Sequence, residues 1–465
     1  MSEATSQSNP PENDVIGSYF LDLWRHTSRT LAVKPETDSE FEQDEEPPTA
    51  LDTVNSSGGF SLVGHDKLSL LYPNAHMHGH DVGVVQANRP APTKRLLYYF
   101  EIFVKNAGQK GQIAIGFTTA GFKVRRQPGW EANSCGYHGD DGLLYCGHGK
   151  GETFGPTYTT GDTVGGGVNY EAQEFFFTKN GAVVGSVIKD VRGPVYPTVA
   201  VHSQNEEVIV NFGKDPFVFD IKAYEAEERT KQQMRVDSIS ISQETSYGIV
   251  RSYLQHYGYE DTLRLFDVAG KSTVPPITLS SGSILNEEAQ TYALNQRKII
   301  RQLIKSGQID ETFSTLNHWY PQLVQDQTSI IFLLLRCQKF IELVRENKVE
   351  EAVMYGRREF DRFRKCAVND DLIKDCAALI AYEQPSKSSV GYLLGDSQRE
   401  LVADLVNAMI LSTNPKVTDP SACLHSCLDK IVRQITVCFL EKRAVNGDQG
   451  EAFNLSRVLK SGKKD

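Results

Sequence analysis

The feature that most constrains this chain is a change of hydrophobic period near residue 220. Upstream, from residue 60 to about 220, short apolar runs alternate with Gly, Pro, Asn and Asp, and no segment of helical period intervenes. Residues 96–104 read as a central strand, and 112–117, 163–168, 175–178, 182–187, 195–201 and 208–212 read as further strands. Lys179-Asn180-Gly181 between two of them is a hairpin signal, because Asn-Gly accepts the positive φ of a tight turn. Many short strands separated by turns predict an antiparallel β-sandwich.

Downstream the period becomes helical. Residues 224–234 are charged and free of glycine, which suits a connecting helix. Residues 243–257 place Tyr247, Val250 and Leu254 on one face with Ile249 and Tyr253 beside it, and Gly258 suits a left-handed cap. A second short helix is predicted over 260–268. A longer helical region begins near Ala289, with Ile299, Ile300, Leu303 and Ile304 as a stripe that stops at Gly307. Phe313 and Leu316 carry the next helix, stopped by Pro321. Ile330, Leu334, Cys337, Ile341 and Val344 then recur at alternating spacings of four and three, a helix with a deep apolar seam. Val349, Ala352, Val353 and Phe360 continue it, and further helices fit 401–410 and 424–439. The C-terminal half is predicted to be an all-α assembly of antiparallel helices.

The first fifty residues are poorly suited to a core. Ile16, Phe20, Leu23 and Trp24 share one helical face, enough for a short amphipathic helix. Behind it, residues 35–48 carry Glu36, Asp38, Glu40, Glu42, Asp44, Glu45 and Glu46. So many like charges with so little apolar material do not offset the ordering entropy, and this stretch is expected to be disordered. An acidic docking tail is the functional alternative.

A chain of 465 residues exceeds what one core serves, so two to four domains are expected. Lys+Arg 49 against Asp+Glu 59 leaves a net charge of −10, which argues against a general binder of nucleic acid or anionic lipid. Eight scattered cysteines are too sparse for a disulfide scaffold, and reduced thiols in a cytoplasmic or nuclear protein are expected. The opening Met-Ser-Glu-Ala-Thr-Ser is polar, with no apolar stretch behind it, so no secretory signal is expected. The apolar run at 330–335 ends at Arg336 and is far too short to span a bilayer.

Gly161-Asp162-Thr163-Val164-Gly165, Val168-Asn169 and Phe175-Phe176-Phe177-Thr178-Lys179-Asn180-Gly181 resemble the core signature of SPRY (B30.2-like) domains. Tyr196-Pro197-Thr198-Val199 and Asn211-Phe212-Gly213 extend the likeness. Ile249-Val250, Tyr253-Leu254, Gly258-Tyr259, Thr262 and Phe266 resemble a LisH motif, and the helices beyond resemble CTLH and CRA modules. That order resembles the RanBPM family. Two stretches resemble that family more closely than SPRY domains at large. They are Pro128-Gly129-Trp130 with Gly136-Tyr137-His138-Gly139-Asp140-Asp141-Gly142, and Asp215-Pro216-Phe217-Val218-Phe219-Asp220. The domains expected are an N-terminal acidic segment (1–50), the SPRY sandwich (51–221), a helical connector (222–241), LisH (242–274), CTLH (288–345) and CRA (346–460). Two departures stand out. Leu263 occupies a place where LisH motifs usually carry a small Ala, and Gly166 and Gly167 replace bulkier strand residues, which is expected to loosen packing.

The resemblance implies a non-catalytic subunit of a CTLH or GID-type ubiquitin ligase. LisH, CTLH and CRA would pair with other subunits of similar build, RING-type subunits would recruit the charged ubiquitin carrier, and the SPRY domain would hold substrates or adaptors. No cofactor, metal, nucleic acid or membrane insertion is implied. From another class, a signalling adaptor outside the ligase would tether receptors, kinases or a small GTPase through the same domain.

Loops on a rigid sandwich are natural peptide readers. Trp130, Tyr137, His138, Asp140 and Asp141 are the candidate peptide-binding residues, the aromatics as anchors and the carboxylates for an Arg or Lys on the ligand. Alternatively Trp130 and Tyr137 are core and Gly-Asp-Asp-Gly is a solvated turn. The LisH unit is too small to bury its own apolar face. Ile249, Tyr253, Leu254, Tyr259 and Phe266 are therefore candidate assembly residues, projecting toward a second copy or a related subunit, with this chain's own CTLH helices as the alternative.

Enzyme readings find little support. Gly147-His148-Gly149-Lys150-Gly151 fails as a phosphate loop, since Leu144 and Gly151 stand where Gly and Ser/Thr are needed. His76, His78 and His80 would share one face of an extended strand and could chelate zinc or copper, though their flanks suggest a surface loop. In Cys423-Leu-His425-Ser-Cys427 a helix would turn His425 away from the two cysteines, leaving ordinary core. Cys135, near His138, is expected to be an inert thiol.

Overall fold

The structure is a computed structural model that describes residues 14–32, 45–56, 62–73, 82–279, 291–363, 370–455 and 458. His76, His78 and His80, the acidic residues from Glu36 to Asp44, and Ala289 lie outside the described residues. Contacts divide the chain into two units: residues 1–36 with 241–433, and residues 37–240 with 434–465. Helix α1 (Asp14–Ala32) thus folds with helices that follow the sandwich, and the sandwich is an insertion between them.

The alternating segment folds as two antiparallel sheets. In chain order the strands are β1 (Leu51–Ser56), β2 (Leu62–Val63), β3 (Ser69–Leu71), β4 (Gly83–Ala87), β5 (Leu97–Ala107), β6 (Ala114–Thr119) and β7 (Ser134–His138). They continue as β8 (Leu143–Cys146), β9 (Glu152–Thr153), β10 (Thr163–Asn169), β11 (Glu174–Lys179), β12 (Ala182–Ile188), β13 (Val195–Val201) and β14 (Glu206–Asn211). One sheet runs β1-β4-β13-β6-β7-β8-β9 and the other β12-β11-β10-β5-β14-β3-β2. The Asn-Gly turn forms as its chemistry demands, with Asn180 at φ 49° and Gly181 at φ 82° between β11 and β12.

Strand β5 is central, and its first half is buried on both faces. Tyr98, Phe100, Ile102 and Val104 enter the core between the sheets. Leu97 and Tyr99 on the opposite face join Leu96, Phe176 and Phe219 in a second cluster, against which Phe217, Ile221 and Tyr224 pack. That outer cluster is roofed by the exit segment and by α2 (Ile221–Asp237). Glu101, buried in the same face, accepts hydrogen bonds from the Tyr99 hydroxyl (2.8 Å) and the amides of Val218 (3.0 Å) and Phe219 (2.9 Å). The carboxylate pins the exit segment to the sheet. The connector at 222–237 is accordingly part of the sandwich unit.

The glycines of β10 do not loosen packing. A Cβ at Gly165 would lie 1.9 Å from the Tyr99 hydroxyl oxygen, and one at Gly167 would lie 2.1 Å from Cζ of Phe176. Gly166 lies against Phe100, Phe117 and Phe177. The missing side chains are the room those rings occupy. A second correction concerns the cysteines. Cys135 and Cys146 are direct partners across β7 and β8 and are joined in a disulfide, a pairing set by strand register that no cysteine spacing announces.

The helical unit comprises α1, α3 (Gln243–His256), α4 (Glu260–Lys271), α5 (Leu294–Lys305), α6 (Ile309–Trp319), α7 (Pro321–Val324), α8 (Ile330–Arg345), α9 (Val349–Phe360), α10 (Asp370–Ala378) and α11 (Asp396–Ser412), with the start of α12 (Cys427–Val445). Leu333, Leu334, Leu335, Cys337 and Ile341 make α8 its central element. Val402, Leu405, Val406 and Ile410 of α11 complete the seam. Gly258 caps α3 at φ 75°.

The short amphipathic helix expected over Ile16, Phe20, Leu23 and Trp24 forms, and Ile16, Phe20, Leu21 and Trp24 of α1 are buried in this core against α8 and α11. The amphipathic face finds a seat on helices far along the chain, and Leu21 replaces Leu23 in it, since Leu23 is exposed. The helix predicted from 424 starts at Cys427. A 3-10 turn over Pro420–Cys423 precedes it, and Ser426 caps it by accepting from the Asp429 amide at 3.2 Å. Among the described residues no helix is long and apolar enough to cross a membrane.

Candidate functional site

The sandwich rim is built around Trp130, in the loop between β6 and β7. Gly129 at φ 95° turns the loop tightly onto β8, where any Cβ would meet the Tyr145 carbonyl oxygen. The half-buried Trp130 ring lies 6.2 Å from His138 and 6.4 Å from Tyr145, whose rings are 4.3 Å apart. The Trp130 indole nitrogen is buried without a hydrogen-bond partner among the described residues.

Asp140 and Asp141 are exposed in the turn between β7 and β8. Asp141 accepts from the Tyr145 hydroxyl at 2.7 Å and the Leu143 amide at 2.9 Å. Burial, and then Asp141, push the Tyr145 hydroxyl up to about 12. Burial and the neighbouring Asp141 also raise Asp140 above the usual carboxylate range.

Tyr137 and His138, also expected to contact a ligand, are not on the surface. Strand β7 lies between β6 and β8, so Tyr137 points into the core, where its hydroxyl donates to the Pro156 carbonyl. His138 points to the other face, is roofed by Trp130 and Tyr145, and contacts the Pro128 carbonyl at 3.0 Å through Nε2. Burial holds its pKa at about 4, so the ring is neutral near pH 7. It supports the platform. Tyr145, which completes it, was missed because only the β7–β8 register brings it opposite Gly136 and within reach of His138.

The second candidate surface is the α3–α4 hairpin. One edge is docked on the chain's own helices. Arg297 of α5, 1% exposed, donates to the carbonyls of Gln255 (3.0 Å) and His256 (2.8 Å) at the end of α3, to Asn407 Oδ1 of α11 (2.9 Å) and to the Tyr292 carbonyl (2.9 Å). Asn407 donates to the same His256 carbonyl at 2.8 Å. These bonds satisfy helix-end carbonyls that have no partner inside α3. Arg301 lies 5.0 Å from the Tyr259 ring centre and 5.7 Å from that of Tyr257, and Tyr253 packs on both rings.

This corrects the expectation that Tyr253, Tyr259 and Phe266 project outward. Tyr253 and Tyr259 belong to the edge docked on α5, and Phe266 is stacked on Tyr247 within the hairpin at 4.7 Å. Ile249 and Leu254 are half-buried. The apolar side chains left open are Val250 at 42%, Leu265 at 67% and Val268 at 58% exposure. Leu265 and Val268, three apart, share one side of α4. A helical-period count for 260–268 that asked which side Leu263 occupies would have found them, since Leu263 is buried and they are not. The cavity of about 460 Å³ between α4 and α5 is lined by Lys298, Arg301 and Lys305, each already matched by a carboxylate.

Residues 97–215 match the family model described as SPRY domain, and 293–439 match that described as CTLH/CRA C-terminal to LisH motif domain. A Ran-binding protein M homolog from Arabidopsis thaliana is 58% identical over 98% of this chain and 99% of its own length. Ran-binding protein 9 from Xenopus tropicalis is 33% identical over 70% of this chain, which spans 57% of that relative. A crystal structure of a human SPRY domain is 37% identical, covering 34% of this chain and 98% of that one at a TM-score of 0.30. An antiparallel SPRY sandwich followed by a CTLH helical region is the architecture of a protein-interaction scaffold. The chain belongs to the Ran-binding protein M family.

Proposed function

We propose that the chain is a non-catalytic scaffold and recognition subunit of a multi-subunit CTLH or GID-type ubiquitin ligase, working in the cytoplasm or nucleus. The observation that carries this reading is the open apolar side of α4, Leu265 and Val268, on a hairpin whose α3 end is fixed to its own chain. A hairpin anchored on one edge and apolar on the other offers a related subunit a rigid docking face. Its partners are other LisH- and CTLH-containing subunits and, through them, RING-type subunits. At the sandwich rim, Trp130 with Asp140 and Asp141 receives a substrate or adaptor peptide carrying a cationic side chain.

The test is quantitative co-purification of the full chain from native cells, beside a Leu265→Asp/Val268→Asp variant. Ligase subunits at near-equal abundance with the unaltered chain, and their loss with the variant, is the expected result. Recovery of receptors, kinases or a GTPase in place of ligase subunits would favour a separate signalling adaptor.

A further inference from the structure

The segment that follows α12 lies on the sandwich, and it is held there by selective side-chain chemistry. Gln449 is 1% exposed. Its Oε1 accepts from the buried ammonium of Lys189, just beyond β12, and its Nε2 donates to the Gly193 carbonyl at 2.6 Å. Both ends of the amide are therefore read. The next residue, Gly450, donates its amide to the Thr93 carbonyl at 2.8 Å, and Glu451 receives two hydrogen bonds from Arg229 at 3.0 and 2.8 Å.

The receptor side is built independently of the segment. Glu45 fixes Thr93 by accepting from its amide (2.5 Å), from its hydroxyl (2.7 Å) and from the Lys94 amide (3.0 Å), which leaves the Thr93 carbonyl to face outward. Lys189 lies 5.5 Å from the centre of the Tyr170 ring, and burial pulls its pKa down to about 8. The hydroxyl of Tyr170, itself 1% exposed, has no hydrogen-bond partner among the described residues.

We propose that Lys189, Gly193, Thr93 and Arg229 form a second peptide-binding site of the sandwich, separate from the Trp130 rim, which recognises a Gln-Gly-acidic sequence turned at its glycine and is occupied in this chain by its own Gln449-Gly450-Glu451. Each position of the motif has a chemical reason. Glu at the first position would set a carboxylate against the Gly193 carbonyl, and Leu would leave a buried ammonium without an acceptor. Gly at the second holds φ 103°, which a side chain strains. An acid at the third meets the Arg229 fork. Tethering through α12 makes self-occupancy intramolecular, so an outside peptide of the same sequence gains access when the segment is released.

Two full-chain variants release it: Gln449→Ala/Glu451→Ala, and Gly450→Pro, which removes the amide donated to Thr93 and cannot adopt the required φ. The probe is a fluorescein-labelled peptide of residues 444–454, followed by anisotropy. Both released chains are expected to bind it at least about 10-fold more tightly than the intact chain. The same peptide carrying Gln449→Ala is expected to bind at least about 10-fold more weakly, as is the original peptide once Lys189→Met is added to a released chain. Equal affinity of intact and released chains, or no binding to either released chain at millimolar peptide, overturns the proposal. Equal binding of the peptides with and without Gln449 does the same. The co-purification experiment does not depend on this site, so the two readings stand or fall separately.

Discussion

Arg297 and Asn407 meet on one backbone carbonyl, that of His256, and through it two helices from different parts of the chain hold the end of α3. Arg297→Met removes the donor to four oxygens at a site closed to water. The expected loss is about 3 kcal/mol of stability in the helical unit, because buried acceptors left unpaired cost about 1–3 kcal/mol each and are partly recovered by relaxation. Urea denaturation followed by far-ultraviolet circular dichroism measures it. Asn407→Leu is expected to cost less, since Arg297 still serves the carbonyl.

The neutral His138 makes the sandwich acid-sensitive. Folded, its ring takes a proton only as pH approaches 4, whereas in the unfolded chain it does so near 6.5. The unfolded state therefore binds more protons in that window, and stability falls as pH drops from about 6.5 to about 4, by about 3 kcal/mol from this group. His138→Gln, which retains an N–H for the Pro128 carbonyl, is expected to flatten the slope of sandwich stability against pH. Denaturation midpoints at pH 7, 6, 5 and 4 for both proteins provide the comparison.

Trp130 and Tyr137 sit seven residues apart with opposite roles. Trp130→Ala is expected to weaken peptide or adaptor binding at the rim by about 2 kcal/mol, roughly 30-fold, with little change in melting. Tyr137→Ala is expected to destabilise the sandwich by about 3–5 kcal/mol, in line with emptying a fully buried aromatic site. Calorimetry of both variants, with a rim ligand captured by the unaltered chain, separates them. Equal loss of binding with intact folding in both would refute the assignment.

Glu101 supports a further expectation. With its carboxylate removed in Glu101→Ala, the amides of Val218 and Phe219 lose their acceptor inside an apolar cluster. About 3 kcal/mol of sandwich stability should go, and hydrogen exchange at Val218 and Phe219 should quicken by orders of magnitude.

The division into sandwich and helices was legible because both periods are local properties of the sequence, as was the Asn180-Gly181 turn. What escaped is non-local. Tyr137 and His138 are adjacent and both buried, which simple alternation does not foresee, because the Trp130 loop folds back as a roof over the face that would otherwise be wet. The aromatic residues at 253, 259 and 266 read as outward-facing because the count stopped at the hairpin, and Arg297 and Arg301, whose bonds turn that edge inward, lie on the next element. Gly166 and Gly167 read as weak points until the rings of Phe100, Phe117, Phe177 and Phe176 are placed beside them. The amphipathic stripe of α1 was visible, whereas its seat on α8 and α11 was beyond any window of local reading.

That seat has a kinetic price. On the ribosome α1 emerges first, and the whole sandwich must be translated before α8 and then α11 appear to receive it. Throughout that interval Ile16, Phe20, Leu21 and Trp24 present a sticky stripe with nowhere native to go. A chain built this way keeps that stripe waiting through most of its synthesis, so its N-terminal helix locks only after α11 has been made.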